Sequence, residues 1–209
     1  MTVPSQLAVS PNNPCPMLRA MVALGYLPDT GGPIDTVSDA LTKAKTGSAG
    51  GDPKFHRQVS TVALVANGLW LGDLFRNSKN GVRFDRLRGG PLDKKGAGSR
   101  ILDAQANVVE TELARLSEFA SPKTGSNGDT ESGLSTDEIV KLMDANFARA
   151  KGFRRVIDRK LMDGEFPILL QLMGKSSASG PYLSLAEVRT LFAERQLPER
   201  VRARLDEAE

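Results

Sequence analysis

Apolar residues along this chain recur at three- and four-residue intervals rather than at every second position, and that periodicity predicts helices. The first starts just after Cys15, where Pro16 suits the opening helical position. It carries Met17, Leu18, Met21, Val22 and Leu24 before Gly25 ends it. A short second helix is expected over 36–44. The segment TGSAGGDP then has the Gly and Ser content of a surface loop, after which Asp52 caps and Pro53 opens a third helix. With Val59, Val62, Ala63, Leu64, Ala66, Leu69, Trp70 and Phe75, this helix is apolar on nearly all sides, which predicts a central position.

Residues 77–99 are rich in Gly, Lys and Arg and lack a period, so the pattern predicts a long surface loop that wraps a pocket rather than filling a core. A helix over about 109–120 presents Val109, Leu113, Leu116 and Ala120 along one stripe. The polar, turn-rich SPKTGSNGDTESG predicts a flexible loop over 121–134. Ser135 and Glu138 stand at capping-box spacing before Ile139, Leu142, Met143 and Phe147, and Ser184 and Glu187 repeat the device before Val188, Leu191 and Phe192. Between them lies an apolar helix from Phe166 to Met173, introduced by Asp163, Gly164 and Glu165 and ended by Gly174. No alternating strand pattern, hairpin turn or internal repeat stands out. The expected fold is therefore mainly α, a compact single domain over 1–209 with residues 1–12 as an extended arm.

Composition agrees with a globular chain: 40% of the 209 residues are hydrophobic and 25% charged. A chain of this size buries roughly 70% of its unfolded surface, enough for a core and one enclosed pocket. The formal charge of +3 is spread along the sequence rather than gathered into one run, which argues against a nucleic-acid partner. No basic start followed by an apolar stretch opens the chain and no segment reaches the length of a membrane span, so a cytoplasmic protein is expected unless a leader was removed.

The single cysteine excludes an intramolecular disulfide and leaves an inert packed thiol, a reactive thiolate or a metal ligand. Cys15 sits in Asn13-Pro14-Cys15-Pro16, at or beside the N-cap of the first helix. Pro16 offers no amide hydrogen, but the next N–H groups have no helical partners, and the positive end of the macrodipole favours an anionic sulfur.

The segment from Pro14 to Leu41, PCPMLRAMVALGYLPDTGGPIDTVSDAL, resembles the proximal segment of the haem-thiolate peroxidases, the family of fungal chloroperoxidase and the unspecific peroxygenases. There Pro-Cys-Pro opens a helix that leads into a Gly-Tyr-Leu/Ile-Pro turn, and this chain keeps Pro14, Cys15, Pro16, Leu18, Gly25, Tyr26, Leu27 and Pro28 in place. The resemblance implies haem b held with Cys15 as axial ligand to the iron and with Pro14, Pro16 and Leu18 at the cofactor. Thiolate donation of that kind favours cleavage of the oxygen–oxygen bond of peroxide. It also implies a chloroperoxidase-like helical fold around the haem, with hydrogen peroxide and a small organic molecule as substrates.

Such chemistry needs an acid–base group. The only histidine, His56, stands beside Lys54 and Arg57 near the start of a helix and reads as a partly exposed surface residue. The family uses a glutamate on an apolar helix, and Glu165-Phe-Pro-Ile-Leu-Leu-Gln-Leu-Met-Gly, with LFAERQLPE further on, resembles that C-terminal half. The resemblance thus implies Glu165 as the distal acid–base. Its apolar neighbours would raise its pKa; the residue alone is equally a first-turn glutamate favouring the helix dipole.

Family members often hold a structural Mg or Mn with an acidic triplet, whereas Phe84-Asp85-Arg86-Leu87 keeps one carboxylate at most. Arg83, Arg86, Arg88, Lys94 and Lys95 are candidates to pair with haem propionates instead. Asp103, Gln105 and Asn107 mimic the start of a calcium loop, but Val108 replaces the glycine and Ala114 the bidentate acid, so calcium is not expected there. Two other classes stay open: a haem-binding or haem-sensing protein without turnover, and a haem-free helical interaction module.

Overall fold

The structure, a computed structural model, describes residues 6–66, 81–88, 98–150, 159 and 162–207. It is a mixed fold, mostly helical, with a four-stranded antiparallel sheet, and it divides into two compact units, Met1–Pro91 with Arg195–Glu209, and Leu92–Glu194. Among the described residues no helix is long and apolar enough to cross a membrane.

In the first unit, α1 (Pro16–Ala23) follows the N-cap residue Cys15, and every residue of the helix is buried. Gly25 ends it with φ of 84°, a left-handed value that L side chains rarely adopt, and the Gly25 N–H donates to the Val22 carbonyl. Helix α2 (Ile34–Thr46) is longer than the sequence suggested at both ends, closing on Gly47 in the left-handed conformation. Helix α3 (Pro53–Ala66) is capped by Asp52, whose Oδ1 accepts the N–H groups of Lys54 and Phe55. It buries Phe55 and Val59 while Arg57 and Gln58 face solvent. Leu69, Trp70 and Phe75 lie outside the described residues. The C-terminal helix Glu199–Asp206 packs on α2 and buries Val201 and Leu205.

The segment 81–88 departs from the surface loop that its Gly and Arg content suggested. Val82, Phe84 and Leu87 are all core residues, at 2%, 0% and 6% exposure. The strand-like bridge between Gly32 and Val82 places them there. Its close approach requires glycine: Gly31 and Gly81 both have positive φ, and a Cβ on either would run into the backbone carbonyl opposite, of Val82 or Gly32.

In the second unit, α4 (Glu110–Ala114) tightens into a 3-10 turn over Arg115–Glu118, close to the expected helix. The polar stretch after it is a hairpin, which corrects the expectation of a flexible loop over 121–134. Strand β1 (Ser121–Thr124) pairs antiparallel with β2 (Thr130–Ser135), which runs straight into α5 (Thr136–Arg149). Helix α6 (Phe166–Met173) has the limits read from sequence. A second hairpin follows, β3 (Lys175–Ser177) with β4 (Gly180–Ser184), and leads into α7 (Leu185–Arg189), which continues as a π turn over Thr190–Glu194. The strand order is β1-β2-β4-β3, with β2 and β4 antiparallel at the centre.

An internal repeat is therefore present where none was read: a hairpin whose inner strand ends on a serine N-cap and feeds a helix, used twice. Ser135 and Ser184 are the matching caps, and Glu138 and Glu187 the matching third helical residues. A strand lysine meets each glutamate: Lys123 Nζ lies 2.8 Å from Glu138 and Lys175 Nζ 3.5 Å from Glu187.

Glu138 carries the larger electrostatic load. Burial pushes its carboxyl upward, but hydrogen bonds from Lys123, Ser121 and the Ser135 backbone and hydroxyl outweigh this and bring it down to about 2. A depressed folded pKa contributes stability above the unfolded value of 4.5 and loses it as pH falls toward about 2. Glu138→Gln is expected to cost about 1–3 kcal/mol at pH 7, by urea unfolding, and to flatten the acid limb of the stability curve. An acid limb identical to the parent's would remove Glu138 from that role.

Candidate functional site

The two residues singled out for chemistry fall in different units, Cys15 in the first and Glu165 in the second.

Around Cys15 the chain is held by its own polar groups. Asn13 Oδ1 accepts the Cys15 N–H at 3.2 Å, an Asx turn that fixes the approach to the helix. Pro16 occupies the first helical position and the first turn of the ladder closes from the Arg19 N–H to the Cys15 carbonyl at 3.0 Å. The Met17 and Leu18 N–H groups precede that bond and have no intrahelical acceptor, so they face the Cys15 end of the helix. Cys15 and Pro14 are half-buried, Pro16 and Leu18 buried. Tyr26, in the turn that follows α1, donates its hydroxyl to Asp206 at 2.7 Å. Burial and that carboxylate together push the phenol up to about 12.

The surroundings of this helix end are positively charged. Arg19 is 7% exposed and folds back over the start of its own helix, where Nη1 donates to the carbonyls of Ser10 and Asn13 at 2.9 and 3.2 Å. Arg88 grips the same strap, its N–H on the Asn12 carbonyl at 3.0 Å and its Nε on that of Pro11 at 3.4 Å. Burial lowers the Arg19 pKa, and so do Arg195 and Arg88. Asp29 and Cys15 act in the opposite sense. Sequence reasoning missed Arg19 and Asn13 as parts of this site, because their role depends on a strap folding back against the helix.

Glu165 is the N-cap residue of α6 and is half-buried. Both oxygens accept the Ser99 N–H, at 3.0 and 3.2 Å, and a Cβ on Gly98 would press on the same carboxylate. Desolvation raises the Glu165 pKa, with the Ser99 hydrogen bonds opposing. The expected upward shift is therefore met, although its partner Ser99 was not foreseen.

Searches against protein-family models, curated proteins and solved structures found no match.

Other candidates are committed locally. His56 Nε2 sits 3.0 Å from Asp39 and is half-buried. Asp85 is engaged by Arg83 through two nitrogens, at 2.9 and 2.6 Å, so neither residue is a ready partner for a cation or a propionate. Asp103 accepts the N–H groups of Gln105 and Asn107 within its own turn. Lys94 and Lys95 lie outside the described residues.

The α1 end suits a cofactor ligated through sulfur. A half-buried cysteine caps a wholly buried helix, the local field favours negative charge, and Asn13 Nδ2 is buried with no hydrogen-bond partner.

Proposed function

We propose that this chain is a haem-thiolate peroxidase or peroxygenase that uses hydrogen peroxide to oxidise a small organic substrate, with Cys15 as the proximal ligand and Glu165 as the acid–base. The observation that carries the reading is Cys15 at the N-cap of α1. A helix buried along its whole length keeps its dipole poorly screened, and the sulfur stands at the positive end.

Bound haem b would supply the iron at which peroxide is activated, and an axial thiolate promotes cleavage of the oxygen–oxygen bond. The protein's part is to keep the sulfur anionic and to move a proton. The positive end of α1, where the first-turn amides have no helical acceptor, would favour an anionic sulfur at Cys15. At Glu165, desolvation makes the carboxylate a stronger base than an exposed one and the Ser99 N–H restrains its two oxygens, so the ionised group could take a proton from peroxide and, once protonated, give it to the departing oxygen.

The test is an optical spectrum of the haem-reconstituted protein, reduced and treated with carbon monoxide. The parent should show the strongly red-shifted Soret band of thiolate ligation, and Cys15→Ala should lose it. A parent that takes up no haem, or a Cys15→Ala variant of unchanged colour, overturns the reading. A normal thiolate band with negligible peroxide turnover would reassign the chain as a haem sensor.

A further inference from the structure

The turn that meets Glu165 in the second unit holds its backbone in an uncommon shape. Gly98 has φ of 81° and Arg100 φ of 58°, so Ser99 stands between two residues in the left-handed region. Glycine enters that region freely, whereas an arginine stays there only where the surrounding structure keeps it. Ser99 itself is 6% exposed, and its N–H reaches both carboxylate oxygens of Glu165, at 3.0 and 3.2 Å. Strained backbone of this kind gathers where a group has to be aimed.

Side-chain geometry points the same way. A Cβ on Gly98 would come within 3.2 Å of Glu165 Oε2, so the carboxylate lies directly against the turn. The Ser99 hydroxyl accepts the Ile101 N–H at 3.4 Å and adds its own hydrogen bond to the carboxylate. One residue thus supplies two donors, from main chain and side chain, to a single acid. The charged residues next to the pair in sequence are engaged with other groups: Arg100 Nη2 donates to the Arg149 carbonyl at 2.9 Å, and Asp163 accepts Arg159 at 2.8 Å.

We propose that Ser99 is a positioning residue for Glu165, its two donors fixing the orientation in which the carboxylate meets peroxide, a role that rests on the function proposed above. A base acts only when the lone pair it offers faces the proton, and a carboxylate free to turn is misdirected for part of the time. Donors that grip the ionised form also make it a weaker base, so Ser99 offsets part of the upward push of desolvation. Orientation and base strength therefore pull in opposite directions when the hydroxyl is removed, which separates them by experiment.

The test is Ser99→Ala in the full chain, which removes the hydroxyl and leaves the N–H. Carbon-13 NMR of the glutamate-labelled protein follows the carboxyl, whose resonance is assigned by its loss in Glu165→Gln. It should titrate at higher pH than in the parent, with its proton dissociation constant lowered roughly tenfold, the effect of one charge-assisted hydrogen bond lost. In the haem-loaded protein the acid limb of kcat/KM for peroxide should move up in pH with it, because the base must be ionised to act. On the plateau above that limb kcat should nevertheless fall about 10- to 100-fold, although the base is stronger. An unmoved titration, or an undiminished plateau, overturns the positioning role.

The two readouts also part this inference from the peroxidase reading. A raised titration in a chain that turns over no peroxide bears out the hold of Ser99 on Glu165 and overturns the enzyme. Full turnover in Ser99→Ala overturns the inference and leaves the enzyme standing.

Discussion

Replacing Glu165 by glutamine is expected to slow peroxide-driven turnover by about 10²–10⁴-fold, the usual worth of a positioned acid–base group, while the carbon monoxide spectrum of the haem-loaded protein keeps its thiolate band. The amide retains an oxygen to accept the Ser99 N–H, so that hydrogen bond survives and the loss isolates proton transfer. Stability provides a second readout. Because the folded pKa of Glu165 stands above the ordinary 4.5, its contribution is fully present below that value and declines as pH rises through the folded pKa. The parent's melting temperature should therefore fall over that window, and Glu165→Gln should flatten the fall. Undiminished turnover would remove Glu165 from catalysis; an unchanged pH profile of melting would show that its carboxyl is hydrated after all.

The helices could be read because each carries its own signals. Helix α6 lies between Glu165 and Gly174 as its apolar run and flanking residues required, and α1 is fixed by Pro16 at one end and Gly25 at the other. The sheet could not. Strand β2 contributes a single apolar residue, Leu134, and β1 none, so no alternation exists to detect, and Pro122 and Pro181 argue locally against strands. What makes these segments strands is pairing between β2 and β4, close neighbours in the sheet that lie far apart in sequence. The site divides in the same way. Cys15 at a helix start was legible, since Pro-Cys-Pro is local, whereas the partners that define its surroundings come from remote segments: Arg88 and Arg195 at the α1 end, and Ser99 at Glu165, 66 residues distant.

Truncating Leu134 to alanine is expected to cost about 2–5 kcal/mol, the range for a leucine removed from a packed core, and Leu183→Ala should cost a similar amount. Both are fully buried and they are partners across the central pair of strands, so their side chains emerge on the same face. In the repeated hairpin–helix unit they are also equivalent positions, each one residue before its serine cap. Exchange of the two halves maps the pair onto itself, with Gly133 opposite Ser184 and Ser135 opposite Tyr182 on either side. A cavity opened by one truncation therefore borders the other leucine, and the double variant should lose less than the sum of the singles by at least about 0.5 kcal/mol. Urea unfolding of the four proteins decides this. Losses that add within error would mean that the two leucines pack against separate neighbours, and that the two hairpins meet through backbone pairing alone.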